Sequence, residues 1–295
     1  MSELVYRLFT RLSRAVGLWP IRYTAAAVAA FFFLFFGRRR AHSVRFYRAL
    51  FPDRSRWFAL ACTWRQYQDF ASIYSERLEI ERRGDVAFER DGDQHVVQAK
   101  TDGRGVILLM SHFGRWEIGA RLLGEQHKEL TLVMGGQAGG EARAGVDRDL
   151  RNAGVDVVTV PEGQGQSFDI LQAVQVLRQG GIVSLAADRG FGDARRLRVP
   201  FLGHTVGVAA APFALALVSG APLLPVFAMR VGARRYRFVS DPPLVLTAAN
   251  RRDRQAAMER AASAYLARLE AMARDYPEQW QTFEGFFIDE QNSEP

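Results

Sequence analysis

The sequence reads Val-Ile-Leu-Leu-Met over residues 106–110 and Ser-His-Phe-Gly-Arg-Trp-Glu over residues 111–117. Five consecutive apolar residues of this kind predict a fully buried strand, and Gly114 permits a tight turn after it. On a continuous helix, residues five apart point to different sides, so His112 and Glu117 can cooperate only if the chain turns between them. Strand, turn and helix in this order place the imidazole at the carboxyl end of a strand, where open α/β sheets bind their ligands.

Strand-like and helix-like segments alternate from Gly105 onwards. The strand-like runs are 106–110, 130–134, 155–160, 182–187, 223–229 and 236–239, and the helical stretches are 116–127, 140–153, 168–179, 208–219 and 252–274. Strands separated by helices of this length predict an α/β fold with a mainly parallel, helix-covered sheet. Upstream, residues 60–82 carry an aromatic stripe at helical spacing, which predicts a core-facing helix. Residues 84–103 are polar and rich in glycine and aspartate, which predicts a hairpin or connector.

Composition and charge limit the functional classes. The only cysteine, Cys62, excludes an internal disulfide and any multi-cysteine metal site, which is typical of a reducing compartment. Residues 1–60 hold eleven arginines against Glu3 and Asp53, a net charge of +9, so the other 235 residues carry a net −2. A nucleic-acid-binding protein more often spreads basic residues over a folded face with aromatic stacking positions. Arginines that flank an apolar segment favour an anionic membrane surface, and no nucleic acid, as the partner.

The apolar segment Tyr23–Phe36 lies inside this basic region, with Arg22 before it and three consecutive arginines after it. Its fourteen residues fall short of the roughly 20 that span a bilayer core. Three interpretations remain: a signal peptide, a helix buried on the domain, and a helix in the membrane interface. Arginines at both ends favour the interfacial helix, because their side chains can reach lipid phosphates. We therefore expect a membrane-associating arm over residues 1–60 and an α/β domain over residues 61–295.

His112 is the most informative of the five histidines, since it directly follows a buried strand. Zinc sites of the HExxH type need two histidines one helical turn apart, and the sequence has no such pair. It also has no G-x-S-x-G turn for a serine nucleophile. What remains is a general base: His112 deprotonates a substrate hydroxyl, Glu117 orients the ring, and the alkoxide attacks an activated acyl carbonyl. Backbone N–H groups of the turn or an arginine stabilise the oxyanion.

A second group of polar residues follows another predicted strand. Asp188 and Arg189 come after the run at 182–187, so we expect them to reach the same edge of the sheet as His112. The glycines that follow suit a mobile substrate loop. The alternative is an Asp–Arg pair that only braces a turn. His204 is a weaker candidate for a second histidine of the site.

The run from His112 to Glu117 resembles the H-x4-[DE] motif of the lysophospholipid acyltransferase superfamily. More closely, it resembles the H-F-G-N-W-E form of the lipid A biosynthesis (late) acyltransferase family, with Arg115 where asparagine is commoner. Three further blocks agree in order. Residues 199–203 resemble the P-F-F-G block, 209–230 the small-residue helix that ends in an A-P-x-x-P-x strand, and 276–280 the closing Y-P-x-Q-[WY] block. The resemblance covers 106–287, with a matching N-terminal anchor.

The resemblance implies a lysophospholipid acyltransferase-like fold and an O-acyltransferase on the cytoplasmic face of a bacterial inner membrane. It implies an acyl carrier protein or coenzyme A thioester as donor and a lipid as acceptor, and the residues call for no cofactor and no metal. His112 and Glu117 then form the catalytic pair. Substrate or oxyanion contacts fall on Gly114, Arg115, Asp188, Arg189, Phe201 and Gly203.

Two departures from the family pattern concern the acceptor. Residues 135–140 are Gly-Gly-Gln-Ala-Gly-Gly where the family usually has arginine and asparagine, and residues 281–286 replace the usual basic tail. Both changes remove positive charge expected near a phosphorylated disaccharide, which favours a less anionic acceptor such as an aminolipid, a glycolipid or a polyene-type lipid. The competing class is a catalytically silent lipid-binding or scaffold protein, which the intact His112 and Glu117 disfavour.

Overall fold

The computed structural model describes residues 17–288 except 85, 102, 128, 137–140, 162–167, 189–194, 245 and 284–285. Its helices are α1 (Trp19–Phe35), α2 (Gly37–Leu50), α3 (Arg56–Arg83), α4 (Asp93–Thr101), α5 (Trp116–Gln126), α6 (Glu141–Asn152), α7 (Phe168–Arg178), α8 (Ala211–Ser219) and α9 (Asp253–Asp275), with a 3-10 turn at Pro277–Gln279. Its strands are β1 (Ala87–Asp91), β2 (Val106–Met110), β3 (Leu130–Gly136), β4 (Asp156–Pro161), β5 (Ile182–Ala186), β6 (Arg196–Phe201), β7 (His204–Ala209), β8 (Leu223–Gly232) and β9 (Arg235–Ser240).

Seven of these strands form one sheet in the order β1-β9-β8-β2-β5-β3-β4. The five strands from β8 to β4 are parallel to one another, and β9 is antiparallel to β8. Helices alternate with the parallel strands along the chain, as the sequence pattern predicted. The prediction of an α/β fold with a mainly parallel sheet is therefore confirmed.

The centre of the sheet is β2, whose side chains are buried on both faces. Ile107 and Leu109 join a cluster with residues of α8 and α9, whereas Leu108 and Met110 pack with residues of α4, α5 and α6. Successive side chains of a strand point to opposite faces. Because helices cover both faces, this strand is a continuous apolar run in sequence, not an alternating one.

Two segments fold differently from the prediction. Residues 84–103, expected as a hairpin or connector, contain the edge strand β1, which pairs in parallel with β9, and the helix α4. The helix predicted over 208–219 begins only at Ala211. Residues 208–209 instead complete β7, which forms an antiparallel hairpin with β6. The side chains of β6 alternate between exposed and buried, the pattern of a half-buried strand.

The first two described helices form a sharply bent pair beside α3. No single helix of the described residues is long and apolar enough to cross a bilayer, although α1 and α2 reach that length and composition together, at an angle of 89°. α1 packs along α3 and buries Ile21 and Ala29 there. Its other side exposes large apolar side chains: Trp19, Tyr23, Phe31, Leu34, Phe35 and Phe36.

The aromatic stripe of α3 is only partly buried. Tyr67 is 5% exposed, but Trp64, Phe70 and Tyr74 are 39%, 40% and 46% exposed. The expectation that this stripe faces the core is therefore wrong for these three side chains. Helical spacing shows that residues share a face, but not what covers that face.

Candidate active site

The backbone of the turn that follows β2 lies in close contact with β8. Gly114 has φ +68°, and a Cβ at this position would lie 2.0 Å from the carbonyl oxygen of Ala228. Only glycine fits such a turn without a clash. The N–H of Arg115 donates to the same carbonyl at 2.6 Å, and the N–H of Gly114 donates to the carbonyl of Gln279 at 2.8 Å. These contacts fix the direction in which His112 leaves the sheet.

His112 is bound to a buried carboxylate from the neighbouring strand. Its Nδ1 lies 3.0 Å from Oδ1 of Asp188, and its backbone N–H donates to Oδ2 at 2.9 Å. The indole Nε1 of Trp280 donates to the same Oδ2 at 3.1 Å. The side chain of Asp188 is 1% exposed and that of His112 is 28% exposed. Because β2 and β5 are adjacent and parallel, the residues after their carboxyl ends meet, as expected for this pair.

This contact determines the tautomer of the neutral imidazole. A carboxylate only accepts hydrogen bonds, so Nδ1 carries the ring proton and Nε2 keeps its lone pair. A partly exposed histidine in this tautomer can take a proton from a hydroxyl at Nε2, while the carboxylate stabilises the imidazolium that forms. The pair of His112 and Asp188, hereafter the dyad, therefore has the geometry of a general base and its orienting group.

Glu117 does not occupy the position expected of it. The carboxylate that contacts His112 belongs to Asp188, and Glu117 lies in the first turn of α5, in the wall of a cavity. Burial there raises the pKa of the Glu117 carboxyl, and the positive charges of Arg77 and Arg115 oppose that rise. The expected contact between Glu117 and the ring is thus corrected, because the start of α5 turns this side chain away towards the cavity.

The cavity has a volume of about 540 Å³, within the usual range for a small-molecule site. Helices α3, α5 and α6 supply most of its lining residues, among them the apolar side chains of Phe70, Ile73, Trp116, Leu122, Val146 and Leu150. The wall also includes an ion pair between Arg77 and Asp149. Gly114 and Arg115 contribute to the wall as well, so the cavity begins beside the turn that carries His112.

Arg115, expected to contact substrate or oxyanion, has a side chain only 1% exposed. Its Nη1 and Nη2 donate to the two carboxylate oxygens of Asp69 at 2.9 and 3.0 Å, and its Nε and Nη2 donate to Glu76 at 2.8 and 3.0 Å. Arg230 adds a hydrogen bond to Asp69 at 2.8 Å. Burial alone would raise the pKa of Glu76, but the hydrogen bonds and charge of Arg115 hold that pKa below its usual value. The four residues form an ion cluster in which Arg115 and Asp69 are buried and Arg230 is partly exposed, and the guanidinium of Arg115 is fully engaged by the two carboxylates.

Of the remaining predicted residues, Phe201, Gly203 and His204 lie in the β6–β7 hairpin, and Arg189 lies outside the described part. Phe201 is 5% exposed and packs edge-on against Trp280, with 6.1 Å between the ring centroids. It therefore supports the indole that binds Asp188. Gly203 occupies the turn of the β6–β7 hairpin with φ +78°. The imidazole of His204 lies against the ring of Phe287, with 4.2 Å between the ring centroids.

Sequence reasoning missed four residues of this site: Trp280, Asp69, Glu76 and Arg230. Trp280 belongs to the closing block at 276–280, on which the family resemblance partly rests. The sequence of that block does not indicate that its indole binds Asp188. Asp69 and Glu76 are seven residues apart, which places them on one face of α3. Two carboxylates on one face of an aromatic-rich helix are the signal that indicates a cationic partner, because buried charges are paired.

Comparison with known proteins agrees with these motifs. The family described as Bacterial lipid A biosynthesis acyltransferase matches residues 7–287. Two curated relatives, from Mycobacterium tuberculosis strains ATCC 25618 / H37Rv and CDC 1551 / Oshkosh, are named phosphatidylinositol mannoside acyltransferase. Each is 29% identical over 137 residues, which cover 45% of this chain and 42% of the relative, so the match spans less than half of those proteins. The family match over most of the chain confirms the resemblance, and the protein belongs to the bacterial lipid A biosynthesis acyltransferase family.

Proposed function

We propose that the protein is a membrane-associated O-acyltransferase that moves a fatty acyl group from an acyl carrier protein or coenzyme A thioester to a hydroxyl of a lipid or glycolipid. The observation that carries this proposal is the pair of His112 and Asp188 at the end of β2 and β5, beside an apolar cavity. The family match supports an acyl donor and a lipid acceptor. By analogy with the family, we place the reaction at the cytoplasmic face of a bacterial inner membrane.

The proposed reaction needs no protein nucleophile. Nε2 of His112 takes the proton of the acceptor hydroxyl, and the alkoxide oxygen attacks the thioester carbonyl carbon. Asp188, held by Trp280 and by the backbone of His112, stabilises the imidazolium. The tetrahedral intermediate then collapses: the C–S bond breaks, the ester forms, and the departing thiolate takes the proton back from the imidazolium.

The oxyanion of that intermediate needs donors other than the two amides of the turn. The N–H groups of Gly114 and Arg115 already bond to the carbonyls of Gln279 and Ala228. Arg189, the next residue after the orienting carboxylate, remains our candidate for this contact. A cationic donor at this position would stabilise the negative charge that develops on the oxygen.

A lipid or glycolipid acceptor that is less anionic than a phosphorylated disaccharide fits the remaining observations. The glycine-rich residues 135–140 lack the arginine and asparagine usual in the family. The curated relatives are named for a glycolipid, phosphatidylinositol mannoside. The test is transfer of labelled acyl groups from either thioester to total bacterial lipids, with mass spectrometry of the product. An enzyme that transfers no acyl group from either donor to any lipid would refute the proposal.

The cavity beside the dyad is proposed to hold the donor's acyl chain. Val146→Phe places a larger side chain in its wall, so kcat/KM for a long-chain donor should fall about tenfold relative to a short-chain donor. The measurement is the ratio of the two kcat/KM values. Val218→Phe, on an exposed part of α8, serves as the matched control. An unchanged ratio in Val146→Phe would place the acyl chain elsewhere.

The exposed apolar side of α1 is proposed to insert into the membrane interface. Phe31 and Phe35 are 51% and 70% exposed, and three arginines begin α2 directly after the helix. The double variant Phe31→Glu/Phe35→Glu should bind phosphatidylethanolamine–phosphatidylglycerol vesicles at least tenfold more weakly in a sedimentation assay, because each buried phenylalanine contributes about 1.5–3 kcal/mol. Leu171→Glu, which changes a side chain 71% exposed on α7, should bind normally. Equal binding by all three proteins would exclude this face as the membrane contact.

A further inference from the structure

The ion cluster of Asp69, Glu76, Arg115 and Arg230 joins α3 to the turn that carries His112. Arg115 lies three residues after His112 in that turn, and Asp69 and Glu76 belong to α3. The cluster contains two carboxylates and two guanidinium groups, so its formal charges balance. Within it, Arg115 makes a two-pronged contact with each carboxylate.

Contacts of this type determine orientation as well as distance. Paired N–H···O bonds between a planar guanidinium and a carboxylate allow little rotation of either group. The side chains of Arg115 and Asp69 are 1% and 3% exposed, so water does not weaken their attraction. A displacement of Arg115 would therefore break several strong hydrogen bonds at once, and the turn cannot shift along α3 without that loss.

The same turn is tied to the closing segment of the chain. Gln279 accepts from the N–H of Gly114 through its carbonyl, and its side chain exchanges hydrogen bonds of 2.9 and 2.8 Å with the backbone of Arg230. The N–H of Gln281 donates to the carbonyl of His112 at 3.0 Å. The ion cluster and the backbone bonds thus constrain the turn from two sides, with Arg230 shared between them.

We infer that Arg115 is a positioning residue of the acyl transfer reaction: its paired contacts with Asp69 and Glu76 hold the turn where Nδ1 of His112 meets Asp188. This inference rests on the proposed function, although the position of the imidazole can be measured without it. It gives Arg115 a role that differs from substrate contact. It also makes α3, whose other side exposes Trp64, Phe70 and Tyr74, a support of the active site.

The kinetic test compares Arg115→Gln with the double variant Arg115→Gln/Asp69→Asn. The single variant leaves the cluster with two carboxylates and one cation, whereas the double variant restores charge balance with two amides that can still bond. We expect kcat per folded enzyme to fall at least tenfold in the single variant, with the donor KM within about twofold of wild type. The second substitution should recover about fivefold or more of that loss. The matched control is Arg268→Gln, which removes the ion pair between Arg268 on α9 and Asp241. This variant should keep its kcat.

A second readout is independent of turnover. In ¹⁵N-histidine-labelled protein, the imidazole resonances of His112 are assigned by their loss in His112→Ala. They should shift in Arg115→Gln, return towards wild type in the double variant, and stay unchanged in Arg268→Gln. Should Arg115→Gln fail to fold, Arg115→Lys takes its place, because it keeps the charge but not the two-pronged guanidinium contacts. The same fall in kcat and the same shift of the His112 resonances are expected of this single variant, without the rescue by Asp69→Asn.

The outcomes separate the two proposals. Unchanged His112 resonances and unchanged kcat in Arg115→Gln, with only a lower unfolding temperature, would overturn the positioning role. Shifted resonances in that variant support it, even if wild type transfers no acyl group from either thioester. That last result would instead refute the proposed function.

Discussion

Asp188→Asn should lower the kcat of acyl transfer about 10²- to 10⁴-fold while leaving the fold intact. Oδ2 of Asp188 accepts from two N–H groups, those of the His112 backbone and the Trp280 indole. The oxygen of an asparagine will take that position, because its NH₂ group cannot accept either bond. The NH₂ group then faces Nδ1 of His112, which must lose its proton to accept, and the proton moves to Nε2. The ring is thereby fixed in the tautomer that cannot act as the base.

The measurement is steady-state acyl transfer from the labelled thioester, with His112→Ala expected to fall at least as far. Asp241→Asn, which changes another buried carboxylate that is paired with Arg268, should keep its kcat. Glu117→Gln tests the competing assignment. Full activity in Asp188→Asn together with its loss in Glu117→Gln would show that the family's acidic position, not Asp188, orients the histidine.

Asp69→Ala should lower the free energy of unfolding by about 3–5 kcal/mol, the usual cost of breaking a buried ion pair by removing one partner. Its side chain, 3% exposed, accepts hydrogen bonds from both Arg115 and Arg230. Without it, Arg115 stays buried with Glu76 as its remaining carboxylate partner. Urea unfolding followed by circular dichroism measures the difference.

Glu89→Ala is the matched control, because Glu89 also binds two arginines, Arg235 and Arg237, but at the surface. Exposed ion pairs contribute about 1 kcal/mol or less, so this variant should unfold nearly as wild type does. A similar loss in both variants would mean that burial does not distinguish the two clusters.

The same cluster gives wild type an acid-sensitive component of stability. Since the pKa of Glu76 is lowered in the folded state, its contribution is fully present above the ordinary carboxyl pKa of 4.5. It is lost as the pH falls through the lower folded-state pKa. Glu76→Gln lacks this titrating group, so it should be less stable than wild type near neutral pH and converge with it at the acidic end of a urea-unfolding series.

The sequence predicts well what depends on local pattern. The strand predicted over 106–110 has the bounds observed for β2. A strand buried on both faces is a continuous apolar run, so the change to polar residues marks its ends in the sequence. The expectation that Asp188 reaches the edge near His112 also holds, since parallel neighbours end on one side. The hairpin of β6 and β7 was missed: residues 199–203 were interpreted only as a family block and residues 208–209 as the start of a helix, although β6 alternates as a strand should.

Which carboxylate meets His112 could not be predicted from spacing. Glu117 is near in sequence, but the orientation of the first turn of α5 depends on how that helix packs, and packing is a property of the whole fold. Asp188 is 76 residues away and adjacent only through strand pairing. The role of Arg115 has the same origin, because its partners lie on α3, 46 and 39 residues earlier in the chain.

The hydrogen bond from Trp280 to Asp188 affects the order in which this protein is assembled during its own translation. Translation proceeds from the amino terminus, and early regions fold first. A nascent chain released from the ribosome through α9 already contains all seven strands of the sheet and both members of the dyad. The indole that secures the carboxylate, and the Gln279 carbonyl that accepts from the turn, emerge afterwards. The contacts that hold the pair of His112 and Asp188 in place are therefore completed only after the sheet that supports them has been synthesised.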